Sequence, residues 1–234
     1  FLNHEHITKM LTDYMVIQTS KEIKVLRPYQ IYAVQQIIQR VQHSQKNGYI
    51  WHTTGSGKTL TSFKASQLIM RLPEVEKVLF VVDRSDLDTQ TVREFNAFKD
   101  KSVDTTKNTS TLVAQLGQTH DKLIVTTLQK LNIAISSDYY ADQIGYLKDK
   151  KVVIIFDECH RSQFGDMHTR IVGGQIKKGE KVIKVDRYFK NYHIFGFTGT
   201  PIFTVNAKSG GNPMLKTTQQ AFGDKLHTYT IVDA

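Results

Sequence analysis

The sequence predicts an α/β fold in which a parallel sheet is sandwiched by helices. Three observations predict it. Short apolar runs at residues 78–82, 123–125, 152–156 and 193–197 lack polar alternation, as strands covered on both faces require. Helical patterns lie between them, notably over residues 86–98 and 141–147. A further short strand, Tyr49-Ile50-Trp51, runs into the glycine-bearing stretch His52-Thr53-Thr54-Gly55-Ser56-Gly57-Lys58-Thr59, which opens an amphipathic helix reaching about Met70. Strand and helix alternate throughout, which is the pattern of a parallel sheet with helices on its faces.

Taken in order, the chain begins with a helical pattern, since Ile7, Met10, Leu11, Tyr14 and Met15 recur at helical spacing. The polar residues 18–24 read as a linker. Arg27-Pro28-Tyr29-Gln30 starts the next helix, with Pro28 suited to the first turn and Ile31, Val34, Ile37, Ile38 and Val41 forming its buried stripe. Residues 169–190 are richer in Lys and Gly than their surroundings and are expected to form an inserted loop or hairpin. Residues 206–212 read as a flexible connection. Residues 226–234 are apolar enough to need a packing partner, expected beyond the last residue. No internal repeat or low-complexity tract is present.

With 234 residues, 40% of them hydrophobic, the chain suits one large α/β domain or two small ones. No apolar run approaches the ~20 residues of a membrane helix, and the polar start Phe1-Leu2-Asn3-His4-Glu5-His6 is neither a signal peptide nor an initiator methionine. An excised fragment is expected. The single cysteine, Cys159, leaves no internal disulfide and fits a reducing cytoplasm. The Asn108-Thr109-Ser110 sequon is accordingly read as chance. A net charge of +9 favours a polyanionic partner, most often nucleic acid for a nucleotide-using protein. No long Lys/Arg block marks a dedicated patch, so charge supports this reading without deciding it.

The chemistry begins at the glycine-bearing loop. Backbone amides freed by Gly55 and Gly57, with the positive end of the following helix, form a cradle for phosphate oxygens. Lys58 is placed to reach terminal phosphates and the Thr59 hydroxyl to hold Mg²⁺; Thr54 and Ser56 complete the cradle. His52 stands where the strict motif has its first glycine. That position mainly permits a tight entry turn, so the departure leaves the phosphate and metal contacts intact. The competing reading is a Ser/Gly-rich surface loop that happens to contain Lys-Thr. Downstream, residues 152–156 end in Asp157-Glu158-Cys159-His160, two adjacent acids at the carboxyl end of a buried strand, where open α/β sheets bind ligands. Phosphoryl transfer from ATP needs a held metal and a positioned water; Asp157 suits the first role and Glu158 the second. An acidic pair in this place is otherwise a helix cap. Cys159 has no evident base and reads as a packed residue. Phe197-Thr198-Gly199-Thr200-Pro201 follows the last strand and brings two hydroxyls to the same sheet edge.

Gln30 before the loop, the Gly-Lys-Thr loop, the Asp-Glu-x-His box and Thr-Gly-Thr-Pro, in that order, resemble the superfamily 2 helicases and translocases. The resemblance implies a RecA-like fold of the P-loop NTPase type, the first of two motor domains. It implies that Gln30 reads the adenine, that His160 links the acidic box to Thr198 and Thr200, and that this threonine motif couples ATP state to DNA contact. Val82-Asp83-Arg84 and Thr126-Thr127-Leu128-Gln129 match the family's DNA-tracking motifs, making Arg84, Thr126 and Thr127 candidates for phosphate-backbone contact.

The longer stretches Ile50-Trp51-His52-Thr53-Thr54-Gly55-Ser56-Gly57-Lys58-Thr59-Leu60-Thr61, Asp157-Glu158-Cys159-His160-Arg161-Ser162-Gln163, Gly196-Phe197-Thr198-Gly199-Thr200-Pro201 and Phe222-Gly223-Asp224-Lys225-Leu226-His227-Thr228-Tyr229 are similar to the motor subunits of type I restriction enzymes. This resemblance covers nearly the whole chain. It implies ATP and Mg²⁺ as cofactors, double-stranded DNA as partner, and methyltransferase and specificity subunits bound through the parent chain. The implied organisation is a helix and linker over residues 1–26 from a preceding nuclease domain, an ATP-binding motor domain over 27–205, and a connection over 206–234 toward a second motor domain carrying the completing arginine. Glu22-Ile23-Lys24 sits in a polar linker without an upstream Pro-Asp and reads as a coincidental match to a nuclease motif. Arginine-finger contributions of about 10³ to 10⁵ in rate imply weak or absent turnover by this portion alone. Two other readings compete: another superfamily 2 translocase or helicase of type III restriction, remodelling or repair, and a nucleotide-gated binding switch.

Overall fold

The computed structural model describes residues 3–82, 108–162, 166–178, 181–203 and 217–233. The expected helix over 86–98, the expected connection over 206–212 and Arg84 lie outside the described residues.

Six parallel strands form the central sheet: β3 (Gly48–His52), β4 (Lys77–Val82), β5 (Leu123–Thr127), β6 (Lys151–Phe156), β9 (Asn191–Thr198) and β10 (Asp224–Tyr229), in the order β10-β3-β9-β6-β4-β5. The residue pairs His52 with Tyr229, Trp51 with Thr198, Phe156 with Gly196, Val81 with Phe156, and Val82 with Thr127 lie side by side. That register brings the carboxyl ends of all six strands to one edge, where the chain leaves each strand for the segments that carry the chemistry.

The central strands are buried along their length, and their side chains divide by strand alternation between two cores. Val78 and Phe80 of β4, with Val153, Ile155, Phe195 and Phe197, pack against α2 (Pro28–His43) and α3 (Lys58–Ile69) through Val34, Ile37, Val41, Phe63 and Ile69. Leu79 and Val81, with Ile154, Phe156 and Ile194, face the other way, onto α4 (Thr109–Gly117) and α5 (Leu128–Ser136) through Leu112, Leu116 and Leu131. Gly196 on β9 is required by packing: a Cβ there would lie 2.6 Å from the Cys159 sulfur.

The helical pattern at the start forms α1 (His4–Tyr14). The polar segment after it is a hairpin, not a linker. Here β1 (Met15–Ile17) and β2 (Ile23–Val25) pair antiparallel, with Lys21 in the left-handed region at the turn. Buried Tyr14, Val16 and Leu26 anchor the hairpin, and Lys64 of α3 donates to the Met15 carbonyl at 2.7 Å. Polarity of residues 18–24 reflected only the exposed turn.

The late apolar segment also differs from expectation. Its partner lies inside the chain, because Asp224–Tyr229 is β10, an edge strand beside β3, so the sheet continues past residue 205. Leu226 packs onto Gly48, where a Cβ would sit 2.6 Å from the leucine, and Arg40 pairs with Asp224 at 3.0 Å. The short helix Thr218–Phe222 leads into it through Gly223 at φ 87°. Helices α4 and α5 each start at a side-chain cap. Asn108 of the sequon accepts from Ser110 N, and Thr127 accepts from Lys130 N at 3.2 Å. The Lys/Gly-rich segment contains the expected hairpin, β7 (Gly174–Lys178) against β8 (Lys181–Val185). Among the described residues no helix is long and apolar enough to cross a membrane.

Candidate active site

The stretch joining β3 to α3 turns on two glycines in the left-handed region, Gly55 at φ 83° and Gly57 at φ 74°. Gly57 is the residue immediately before α3, and the first intrahelical acceptor in use is its own carbonyl, bonded by Thr61 N at 3.0 Å. The amides of Lys58 and Thr59 therefore open the helix without intrahelical acceptors, the condition for holding an anion. A side chain at Gly57 would meet more than a strained φ, since its Cβ would lie 2.6 Å from Gln30 Nε2.

Gln30 is buried and braces this loop. Its Nε2 donates to the carbonyls of Ser56 and Gly57, each at 3.2 Å, while its Oε1 accepts from Arg27 N at 2.8 Å. Tyr29 donates to the same Ser56 carbonyl at 2.7 Å, and the Ser56 hydroxyl donates to Thr53 O at 2.6 Å. Both ends of the Gln30 amide are thus engaged by protein groups, which makes loop support its role in this structure.

Lys58 is buried at the base of the loop, and its ammonium lies 3.3 Å from Glu158 Oε1. Glu158 follows β6 with φ 43°, a left-handed conformation that a residue other than glycine adopts only when its surroundings enforce it. Asp157 enforces it: its own N–H donates to Val81 O at 3.0 Å, and its carboxylate accepts from Glu158 N at 3.1 Å. Asp157 is itself buried. From Glu158 the contacts continue outward, with His160 Nδ1 at 3.4 Å from Glu158 Oε2 and at 3.0 Å from Thr198 Oγ1. The Thr198 hydroxyl in turn accepts from Thr200 N at 3.0 Å. Gly199 closes the ring, because a Cβ there would stand 3.4 Å from the Lys58 ammonium, the Thr54 hydroxyl and the His52 carbonyl. Loop, acidic pair, histidine and threonine segment therefore meet across three neighbouring strands.

Cys159 beside them is fully buried, and that burial, before the adjacent Glu158 and Asp157, holds its thiol well above the usual range. It is a packed thiol. Thr126 and Thr127 sit at the same sheet edge, but both are buried, and Thr127 caps α5, so neither hydroxyl lies on the surface. This structure uses Thr127 to start a helix.

A further part of the site carried no assigned role in the sequence. His52 Nε2 and His227 Nδ1 are 2.7 Å apart, linking the first loop position to β10. Tyr229 stacks on Tyr29 at 3.7 Å with planes 3° apart, and its carbonyl accepts from Thr53 N at 3.1 Å. Burial first, then His227 and Lys58, lowers the His52 pKa to about 3, and burial lowers that of His227, so both rings are neutral at pH 7. The detectable signal was the alternation of His227 and Tyr229, which places both on one face of a strand.

With this geometry in hand, comparison with known proteins gives one family. The model of the SWI2/SNF2 ATPase family matches residues 29–234. The chain belongs to the SWI2/SNF2 ATPase family. A type I restriction enzyme endonuclease subunit of Staphylococcus aureus (strain COL) is 48% identical over the whole chain. The chain spans 23% of that relative's length. The C-terminal part of such a subunit in Mycoplasma pneumoniae is 43% identical over 73% of this chain and 88% of its own length. With the family model, these relatives put the chain in the ATPase portion of type I restriction enzyme endonuclease subunits. Among solved structures, the Sulfolobus solfataricus SWI2/SNF2 ATPase core in complex with dsDNA superposes with a TM-score of 0.53 at 16% identity, covering 82% of this chain and 34% of its own. The Type ISP restriction-modification enzyme LlaBIII bound to DNA gives 0.59 at 16% identity, covering 92% of this chain and 16% of its own. Both likenesses confirm the RecA-like α/β fold.

Proposed function

We propose that this chain is the first of two motor domains in a type I restriction subunit and that it uses ATP hydrolysis to move double-stranded DNA before cleavage. The observation that carries the reading is the continuous line Lys58, Glu158, His160, Thr198, with contacts of 3.3, 3.4 and 3.0 Å. Lys58 is the cation for the terminal phosphates of the nucleotide, and Gly55, Ser56, Gly57 and Thr54 shape the cradle around them. Thr59, half-buried at the head of α3, and Asp157, buried at the end of β6, are the residues that would hold Mg²⁺. Among the described residues no cluster of three His, Cys, Asp or Glu offers a complete cation cage. Two protein groups with the remaining positions left to phosphate oxygens and water is the usual arrangement for Mg²⁺ beside a nucleotide. When bound, the metal neutralises charge developing on the phosphate oxygens.

Glu158 orients and deprotonates the attacking water, and Lys58, which pairs with it here, exchanges that carboxylate for phosphate when a nucleotide is bound. His160 senses this exchange through Glu158 and transmits it to Thr198 and Thr200. Arg84 contacts the DNA backbone, and the head of α5, which Thr127 caps directly after Thr126, is a second place for a phosphate. Methyltransferase and specificity subunits, a nuclease domain before residue 1 and a second motor domain after residue 234 belong to the parent protein in this reading. The cytoplasm is its compartment. A nucleotide-gated switch is the alternative from a different class, and Glu158 argues against it, because a switch has less need of a water-activating acid.

The test is displacement of a DNA triplex by the full-length parent with its partners, ATP and Mg²⁺. The expected result is displacement without strand separation, lost in Lys58→Ala. Strand separation would indicate a repair helicase, and no movement would indicate a switch.

A further inference from the structure

Away from the candidate active site, at the amino ends of β6 and β9, a cleft of about 310 Å³ opens between α5, the helix Asp166–Val172 and the segment leading into β9. Its position is set by Lys190 N, which donates to Lys148 O at 2.8 Å just before the first β6–β9 pair, Lys151 with Asn191. The cleft therefore lies at the sheet edge opposite the phosphate loop. Four cations, Lys148, Arg170, Arg187 and Lys190, line it against one acid, Asp186. A second acid, Asp149, engages Lys190 at 2.7 Å. The cluster keeps a net positive charge.

Two features distinguish it from a scatter of surface lysines. Lys148 stands 5.3 Å from the centre of the Tyr188 ring and Arg187 5.8 Å from that of Tyr192. Aromatic faces thus hold both cationic head groups near the cleft and reduce the freedom lost when an anion binds. Tyr188 also lines the cleft, and its hydroxyl is buried with no hydrogen-bond partner among the described residues. Burial raises its pKa, so the phenol is a neutral O–H donor at pH 7. A buried donor without an acceptor is costly, and an incoming oxygen would relieve that cost.

We propose that this cleft binds the phosphate backbone of duplex DNA, a contact separate from the sheet edge that handles nucleotide. This rests on the DNA-translocating reading above. A polymer of phosphates is favoured over a small phosphorylated molecule because Lys190 is 67% exposed and Lys148 and Arg187 are also exposed. They form a rim on which a strand can lie, not walls that enclose a ligand.

The experiment is fluorescence anisotropy of a short labelled duplex titrated with this 234-residue chain across a range of KCl concentrations. The unmodified chain is compared with Lys148→Ala/Arg187→Ala and with Tyr188→Phe. The double variant is expected to bind more weakly and to lose about two from the slope of log K against log salt, one per phosphate contact removed. Tyr188→Phe, which removes only the hydroxyl, is expected to weaken binding several-fold with the slope unchanged. Circular dichroism confirms that each variant is folded, and Tyr188→Phe decides the matter should the double variant unfold. An unchanged slope in a folded double variant, or an unchanged affinity in Tyr188→Phe, would overturn this site while leaving the DNA reading in place. No duplex binding by the unmodified chain would overturn this site, while triplex displacement by the full-length parent decides the DNA reading separately. Displacement of the duplex by inorganic phosphate at low millimolar concentration would reassign the cleft to small anions.

Discussion

Acidification is expected to destabilise the fold through His52. The ring is fully buried between Tyr29, Tyr229 and His227, and burial, with His227 and Lys58 nearby, lowers its pKa from 6.5 to about 3. The unfolded chain takes up a proton on this residue through 6.5, while the folded chain refuses it until about 3. The unfolded state therefore binds more protons in that window, so stability is complete above 6.5 and falls as the pH drops toward 3. At about 1.4 kcal/mol per unit, the loss between about pH 7.5 and about pH 5 is about 2 kcal/mol from His52 alone. His193 and His227, both lowered by burial, add to it with the same sign. Urea unfolding at the two pH values measures the total, and His52→Gln isolates the share of His52 as the part of the acid loss that disappears. Equal acid losses in the unmodified chain and in His52→Gln would refute the reasoning, since the folded state would then be accommodating the proton.

Two further substitutions probe the bracing of the loop. Gln30→Ala leaves Arg27 N and the Ser56 and Gly57 carbonyls without their amide partner and is expected to cost about 1–3 kcal/mol in urea unfolding. Unchanged stability accompanied by altered base selectivity would assign Gln30 to the nucleobase instead. Tyr229→Ala removes the ring stacked on Tyr29 and is expected to cost about 1–2 kcal/mol, read as a lower thermal midpoint. It should also weaken nucleotide binding measured by calorimetry, because the Thr53 end of the loop loses its support; unchanged binding would sever β10 from the site.

Continuous apolar runs made the buried strands readable, because a strand covered on both faces has no polar positions to confuse it. The phosphate loop was readable for a different reason: Gly55 and Gly57 stand where the backbone needs positive φ, and Lys58 and Thr59 stand where the helix begins. Elements whose signal lies in tertiary contact were harder to see. Residues 18–24 look like a linker because the hairpin turn is exposed, while its anchors Tyr14, Val16 and Leu26 flank it. Asp224–Tyr229 is only half-buried, as an edge strand must be, and its partner β3 lies far upstream in sequence. Local motifs likewise do not reveal which polar atoms are already engaged. Gln30 carries an amide suited to a base but bonds to its own loop, and Thr126 and Thr127 carry hydroxyls that lie buried beneath a helix start.

The central claim is that the acids at the end of β6 and the lysine of the loop form one hydrolytic site. Its most direct measurement is DNA-stimulated ATP hydrolysis by the parent protein carrying Glu158→Gln, alongside calorimetric binding of ATP to the same variant. The account predicts retained binding with turnover reduced by about 10² to 10⁴, the contribution of a positioned general base. Turnover at the unmodified rate would contradict it.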